Sequence, residues 1–121
     1  MSVDKFLDRQ KRKGYDCLNF AYEVWADLTG KDLSGVLDGF LSEASKERAT
    51  GAPLRVRHLR RFRVLSSPCS PCLVLMQRPG QVPHLGVFIR GRVLHLLSAG
   101  VEFQPVEIAA RGFKSYRFIT C

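Results

Sequence analysis

Two short apolar segments on either side of a two-residue turn constrain the fold of this 121-residue chain more than any other feature. Residues 85–89 and 92–97 are rich in β-branched and other apolar side chains, and Arg90-Gly91 separates them. Such a pair of segments predicts a β-hairpin whose turn is Arg90-Gly91. Because the length of the turn fixes the register of a hairpin, each residue of one strand has a defined partner on the other.

The predicted register places two histidines on one face of the hairpin. Gly86 faces His95 and His84 faces Leu97, so the imidazoles are diagonal neighbours with Cβ atoms roughly 7 Å apart. Gly86 leaves space opposite His95. One imidazole could therefore accept a proton from a nucleophile while the second orients the first. The alternative is two partly exposed histidines on a solvated strand face. The opposite face of the hairpin is apolar and is formed by Leu85, Val87, Ile89, Leu94 and Leu96.

A helix that begins at Cys17 is the second strong local prediction. Apolar side chains recur there with helical spacing, at Cys17, Phe20, Ala21, Val24, Trp25 and Leu28. Asp16 is the expected N-cap and Gly30 the expected C-terminal stop. A helix N-terminus stabilises a thiolate and lowers the pKa of the thiol, which makes Cys17 a candidate nucleophile. Its place on the apolar face is equally typical of a buried core cysteine.

The remaining segments predict an α+β fold in which N-terminal helices pack on a small antiparallel sheet. Two more helices are expected, over residues 2–13 with a stop at Gly14, and over residues 36–47. Strands are expected over residues 73–76 and 116–120. A loop is expected over residues 77–83, between the first of these strands and the hairpin. Residues 101–108 contain Pro105 and are expected to form an edge strand or an extended connection. The length and the 45% hydrophobic content are typical of a single domain spanning residues 1–121.

Three sequence blocks carry a resemblance to a known family. They are YDCLNF at residues 15–20, PCLVLM at residues 71–76 and HLGVFIRGRVLH at residues 84–95. This order resembles the NlpC-type cysteine peptidases of the papain-like superfamily, which have Asp-Cys at a helix start, a Gly-Asp-Leu-Val-type strand and a His-Val-Gly-Ile-Tyr-type strand followed by a second histidine. The resemblance covers roughly residues 14–97. The chain departs from the pattern at Leu18 and Asn19, where small residues are usual, and at Cys72, where the family has aspartate.

The resemblance implies a catalytic role for each matching position. Cys17 would be the nucleophile, His84 the base and His95 the third, orienting residue. Tyr15 would assist the substrate or the oxyanion, and the backbone N–H of Cys17 would contribute to the oxyanion site. No cofactor or metal ion is implied.

The resemblance also implies a substrate and a setting. The family cleaves amide bonds in peptidoglycan stem peptides, typically next to D-glutamate and a diamino acid. Small members are similar to tail-tip and tail-assembly proteins of long-tailed bacteriophages, so other tail proteins are expected partners and the virion an expected location. A non-catalytic tail component with the same fold is the alternative.

The charge of the chain suits a polyanionic partner but does not identify it. The net charge is +8, and basic residues cluster at residues 5–13 and 55–63. A nucleic acid, an anionic membrane, an acidic cell-wall polymer and a solvated surface all fit such clusters. An Arg-driven nucleic-acid binder ranks behind an acidic protein or the wall polymer. No segment is long and apolar enough to span a membrane, and the N-terminus lacks a signal sequence, so synthesis in the cytoplasm is expected.

The segment from Cys69 to Cys72 has the spacing of a redox motif. It precedes a strand, whereas a thioredoxin-like site requires a helix. A zinc site would need His58 and Cys121 as further ligands. Packing cysteines are the favoured interpretation.

Overall fold

A computed structural model describes residues 3–33, 63–78 and 83–120 of the chain. Within these ranges, a helix packs on one face of a six-stranded antiparallel sheet, which confirms the predicted α+β class. The order of the strands in the sheet is β1-β6-β2-β3-β4-β5. The helices are α1 (Cys17–Thr29) and the short α2 (Val106–Ala109). The strands are β1 (Arg63–Leu65), β2 (Cys72–Gln77), β3 (His84–Ile89), β4 (Arg92–Leu97), β5 (Gly100–Pro105) and β6 (Ser115–Thr120).

Helix α1 begins and ends where the sequence predicts. The Asp16 carboxylate accepts hydrogen bonds from the backbone N–H groups of Leu18 at 3.0 Å and Asn19 at 3.3 Å. The Asn19 side chain accepts the N–H of Asp16 in return, which completes a capping box. Gly30 ends the helix in the left-handed region, at φ 75°, and donates its N–H to the carbonyl of Ala26. Four side chains of the helix are buried against the sheet: Phe20, Ala21, Val24 and Trp25.

The β3–β4 hairpin has the predicted register. Val87 pairs with Leu94 and Ile89 pairs with Arg92. Arg90 and Gly91 both have positive φ, 49° and 86°, as a type I′ turn requires, because that turn matches the twist of the strands it joins. The apolar face of the hairpin lies in the same cluster as the buried side chains of α1, as predicted.

The opposite face of the sheet carries a second apolar cluster. It is formed by Cys72, Val74, Met76, Phe88, Val93 and Ala109. Helix α2 and the residues after it cover this face, and Phe113 packs against the cluster. The sheet is therefore covered on both sides, and the even-numbered face of β3, which carries His84, is partly shielded from water.

The N-terminal segment is not the short basic helix predicted for residues 2–13. In the described part of that segment, a single 3₁₀ turn (Asp4–Phe6) is followed by turns and by a bridge between Arg12 and Tyr15. Tertiary packing overrides the helical preference of the segment, because Phe6 is buried with its ring edge against Phe20.

The other expected elements are partly confirmed. The strands predicted at residues 73–76 and 116–120 are present as β2 and β6. Residues 101–105 do form an edge strand, but residues 106–108 belong to α2. Strand β1 was not predicted, and the helix expected over residues 36–47 lies outside the described residues. No helix in the described ranges has the length and apolarity that crossing a membrane requires.

Gly86 gives a stability prediction for the face that carries the histidines. A Cβ atom at Gly86 would lie 2.6 Å from Cγ1 of the buried Val93 and 3.3 Å from Cβ of His95. We expect Gly86→Ala to lower the free energy of unfolding by about 1–3 kcal/mol, measured by urea denaturation. In the background Val93→Ala, which removes the clashing methyl group, the same change should cost less. Equal costs in both backgrounds would contradict this close approach.

Candidate active site

Cys17, His84 and His95 line one cleft of about 750 Å³ at one end of the sheet. Cys17 comes from the first residue of α1, His84 from the first residue of β3 and His95 from β4. Tyr15, the fourth expected site residue, is not among the described residues that line this cleft. Three residues that are far apart in the sequence thus share one concave surface, as nucleophilic catalysis requires.

The two histidines are directly hydrogen-bonded. His84 Nε2 lies 2.8 Å from His95 Nδ1, and the ring centroids are 5.0 Å apart. The predicted placement of both imidazoles on one face of the hairpin is therefore correct. His95 is buried, with 1% of its surface exposed, and His84 is half-buried at the mouth of the pair.

Gln104 extends this pair and fixes its tautomers. Its Oε1 lies 3.0 Å from His95 Nε2, and an amide oxygen only accepts, so His95 Nε2 carries the proton. Neutral His95 then has a lone pair on Nδ1, which accepts the N–H of His84 Nε2. The remaining lone pair of His84 is on Nδ1, where it can act as a base. The assignment of hydrogens follows from the hydrogen-bond network.

Sequence reasoning missed Gln104, although a signal for it existed. Gln104 lies in β5, directly opposite Val93, and therefore on the same face as its diagonal neighbour His95. Once residues 101–105 are taken as a strand next to β4, a polar residue at this position would be a candidate partner for His95. The pairing of β5 with β4 was not part of the sequence prediction.

Both imidazoles are neutral near pH 7. Burial lowers the pKa of His84 to about 4, and the neighbouring His95 imidazole and the positive charges of Arg78 and Lys11 act in the same direction. Burial also lowers the pKa of His95, although its hydrogen bond to Gln104 acts in the opposite direction. Neutral rings agree with the tautomers that the hydrogen bonds require.

The pKa of Cys17 is raised, which contradicts the sequence expectation. Burial of the thiol has the largest effect, and the carboxylate of Asp16 adds to it. The backbone of Leu85, the charge of Lys11 and the backbone of Cys17 itself lower the pKa, but they do not outweigh burial. The resting site therefore holds a protonated thiol and a neutral imidazole.

The order of cysteine alkylation tests this resting state. The sequence predicts that Cys17 reacts fastest at pH 6–7, whereas the raised pKa of Cys17 favours a different order. We expect iodoacetamide to label the exposed Cys69 before Cys17 at pH 7. Cys72 should react last, because it is fully buried and its pKa is raised to about 11. Peptide mapping after limited labelling measures the order, and faster labelling of Cys17 than of Cys69 would show that it rests as a thiolate.

Tyr15 stabilises the N-terminal segment at a distance from the cleft. Its hydroxyl donates to Glu23 Oε2 at 2.7 Å, and Glu23 Oε1 accepts from two nitrogens of Arg9, each at 2.9 Å. The guanidinium of Arg12 lies over the Tyr15 ring, 4.4 Å from its centroid. Burial and the contact with Glu23 raise the pKa of Tyr15 to about 12. The structure therefore does not bring the Tyr15 hydroxyl to the oxyanion position that the resemblance implies.

The sequence alternatives for metal, redox and nucleic-acid binding are only partly within the described residues. Cys69 is exposed and Cys72 buried, and both are free thiols. His58, Cys121 and residues 55–62 of the arginine-rich segment lie outside the described ranges. Within those ranges, no group of three or more metal-ligating side chains comes together.

The neutral histidines predict how stability depends on pH. The pKa of His84 is about 4 in the folded protein, against an ordinary value of 6.5, so the unfolded chain binds the proton more readily. Stability should therefore fall as the pH drops from about 6.5 to 4, by roughly 1–3 kcal/mol from this residue. Urea midpoints at pH 7 and 4.5 measure the effect. His84→Gln should show a smaller fall than the native chain, and an equal fall would contradict the assignment.

The cleft as a whole contains the parts of a thiol-based acyl-transfer site. It has a thiol at a helix N-terminus, an imidazole with a free lone pair, and a hydrogen-bonded chain that orients this imidazole. The side chain of Asp16 accepts hydrogen bonds from the N–H groups of Leu18 and Asn19 but not from that of Cys17. No protein-family model matches the chain, and none of the curated proteins matches it either.

Proposed function

We propose that this protein is a papain-like, NlpC-type cysteine hydrolase that cleaves amide bonds in peptidoglycan stem peptides, as a phage tail-associated protein. The observation that carries the catalytic part is the hydrogen-bonded chain from Gln104 through His95 to His84, in the cleft that Cys17 also lines. The substrate and the tail association are supported by the resemblance of residues 14–97 to the family.

The proposed reaction begins with attack of sulfur on the scissile carbonyl. His84 Nδ1 takes the proton of Cys17 as the S–C bond forms, and the oxyanion faces the N–H of Cys17. His84 then gives this proton to the leaving nitrogen as the C–N bond breaks, which releases the amine and leaves a thioester. Water attacks the thioester with His84 again as the base. The products are a carboxylic acid and the restored thiol.

The acid–base properties of the resting site fit a concerted proton transfer. A thiol with a raised pKa and an imidazole with a pKa of about 4 do not form a stable ion pair before the substrate arrives. The proton therefore moves to His84 as sulfur attacks, and a substrate that adds negative charge near His84 makes this transfer easier. The orienting chain is then most important during attack, when the imidazole becomes charged.

Digestion of purified peptidoglycan fragments tests this function. Mass spectrometry should show fragments that have gained one water and split at an amide of the stem peptide. The matched control is Cys69→Ala, which removes an exposed thiol outside the cleft and should leave the product pattern unchanged. Intact fragments after incubation with folded native protein would argue against hydrolysis.

The acid–base state of the cleft favours a second candidate, a tail component with this fold and without catalysis. The protonated thiol and the weak base are the state expected of a cleft that no longer performs the reaction. Leu18 and Asn19 also replace the small residues usual in the family. Under this candidate, Cys17→Ala has no effect on tail assembly and the native protein leaves all fragments intact.

A further inference from the structure

The cleft is lined by three cationic side chains: Lys11, Arg78 and Arg111. Among the described residues that line it, the only carboxylate is that of Asp16, whose oxygen is engaged in the cap of α1. No described carboxylate forms a salt bridge with Lys11, Arg78 or Arg111. A concave surface whose positive charges have no described carboxylate as a partner focuses a positive potential on whatever enters the cleft.

Arg78 is held in a defined place relative to the base. Its Nε donates to the carbonyl of Gly112 at 3.0 Å, and its guanidinium lies over the Phe113 ring, 4.4 Å from the centroid. Phe113 in turn stacks on His84, with ring centroids 5.5 Å apart and an interplanar angle of 16°. Gly112 has φ +88°, which favours glycine at the residue that supplies the carbonyl. The arginine, the phenylalanine and the catalytic imidazole therefore form one ordered stack.

The terminal nitrogens of Arg78 suit a carboxylate. Nε donates to Gly112, and no described residue accepts a hydrogen bond from the two terminal nitrogens. Two parallel N–H groups match the two oxygens of a carboxylate and make such a contact specific as well as strong. Lys11 adds positive charge to the same cleft without this fork, and Arg111 adds a second guanidinium.

We infer that Arg78 is the specificity residue of the cleft and binds a free carboxylate of the peptide next to the scissile amide, with Lys11 and Arg111 adding to the positive field. This inference rests on the proposed hydrolase function. It predicts that a stem peptide with a free D-glutamate carboxylate is preferred over the same peptide with this group amidated.

Binding of that carboxylate would also strengthen the base. After burial and the effect of His95, the charges of Arg78 and Lys11 are the remaining causes that lower the pKa of His84. A bound anion offsets both charges, so the pKa of His84 rises when the correct substrate is present. The imidazole then takes the thiol proton more readily in the complex than in the free protein.

Two synthetic stem peptides, one with the free carboxylate and one with the carboxamide, test the inference. The measured quantity is the ratio of kcat/KM for the first peptide over the second. Arg78→Gln should lower this ratio about 10- to 100-fold, the range expected for loss of a charged hydrogen bond. The control is Arg63→Gln, which removes the same charge from an exposed residue of β1, the edge strand farthest from β5. This variant should leave the ratio within about two-fold of native.

A binding measurement separates failure of this inference from failure of the proposed function. The Cys17→Ser protein is titrated with both peptides, and it should bind the carboxylate peptide more tightly than the carboxamide peptide. Loss of this difference in Cys17→Ser/Arg78→Gln supports the role of Arg78 even without turnover. Hydrolysis of both peptides with a ratio near one would overturn the inference and leave the hydrolase proposal intact. A ratio that falls equally in Arg78→Gln and Arg63→Gln would also overturn the inference, because loss of any positive charge would then explain the preference.

Discussion

Cys17→Ala is expected to lower the rate of stem-peptide cleavage by at least about 10³-fold. The thiol is the only group at the start of α1 that can form the thioester, and the proposed reaction has no route that bypasses this intermediate. The rate is measured by chromatography of a synthetic stem peptide, with native protein and variant at equal concentration.

The control for this prediction separates chemistry from folding. Cys17 is half-buried, so each variant is first compared with the native protein by circular dichroism and urea denaturation. Cys17→Ser keeps the size of the side chain and should be almost as inactive, because a hydroxyl is a far weaker nucleophile with so weak a base. Cleavage by folded Cys17→Ala at the native rate would remove Cys17 from the mechanism.

His84→Ala is expected to lower the cleavage rate by about 10²–10⁴-fold, the usual contribution of a general base. Of the four ring nitrogens of His84 and His95, only Nδ1 of His84 keeps an unshared lone pair in the hydrogen-bonded chain. In a Cys17→Ala background the same change should have almost no further effect, because the groups act as a unit. A folded His84→Ala protein that cleaves at the native rate would show that this assignment is wrong.

The two orienting residues should give smaller and graded losses. His95→Asn and His95→Gln keep a polar partner for His84 and should retain measurable activity, whereas His95→Ala should lose more. Gln104→Leu removes the acceptor that fixes the His95 tautomer and should reduce the rate without abolishing it. A purely structural role for Gln104 would change stability and leave the pH dependence of kcat unchanged.

The local signals of the sequence predicted the parts of the site that depend on neighbouring residues. The turn at Arg90-Gly91 fixed the hairpin register, and with it the shared face of His84 and His95. Asp16 marked the first turn of α1 and therefore the position of Cys17. Each of these features is decided within a few residues of chain, where turn and capping preferences are strong.

The parts that were missed depend on contacts between distant segments. Gln104 reaches His95 only because β5 pairs with β4, and strand β6 lies between β1 and β2, which no local pattern indicates. The N-terminal segment does not form the expected helix, because its tertiary packing buries Phe6. The pKa of Cys17 moved opposite to expectation for the same reason, since burial is a property of the whole fold while the helix-end effect is local.

A burst experiment with an activated ester of the stem peptide tests the central claim most directly, that Cys17 is acylated with His84 as the base. An ester with a good leaving group is expected to make acylation faster than hydrolysis of the thioester, so the intermediate accumulates. The account predicts a burst of about one leaving group per protein molecule, with the acyl mass on the peptide that contains Cys17. The burst should be absent in Cys17→Ala and much slower in His84→Ala. Linear release from the start, or an acyl group on Cys69 instead, would contradict the account.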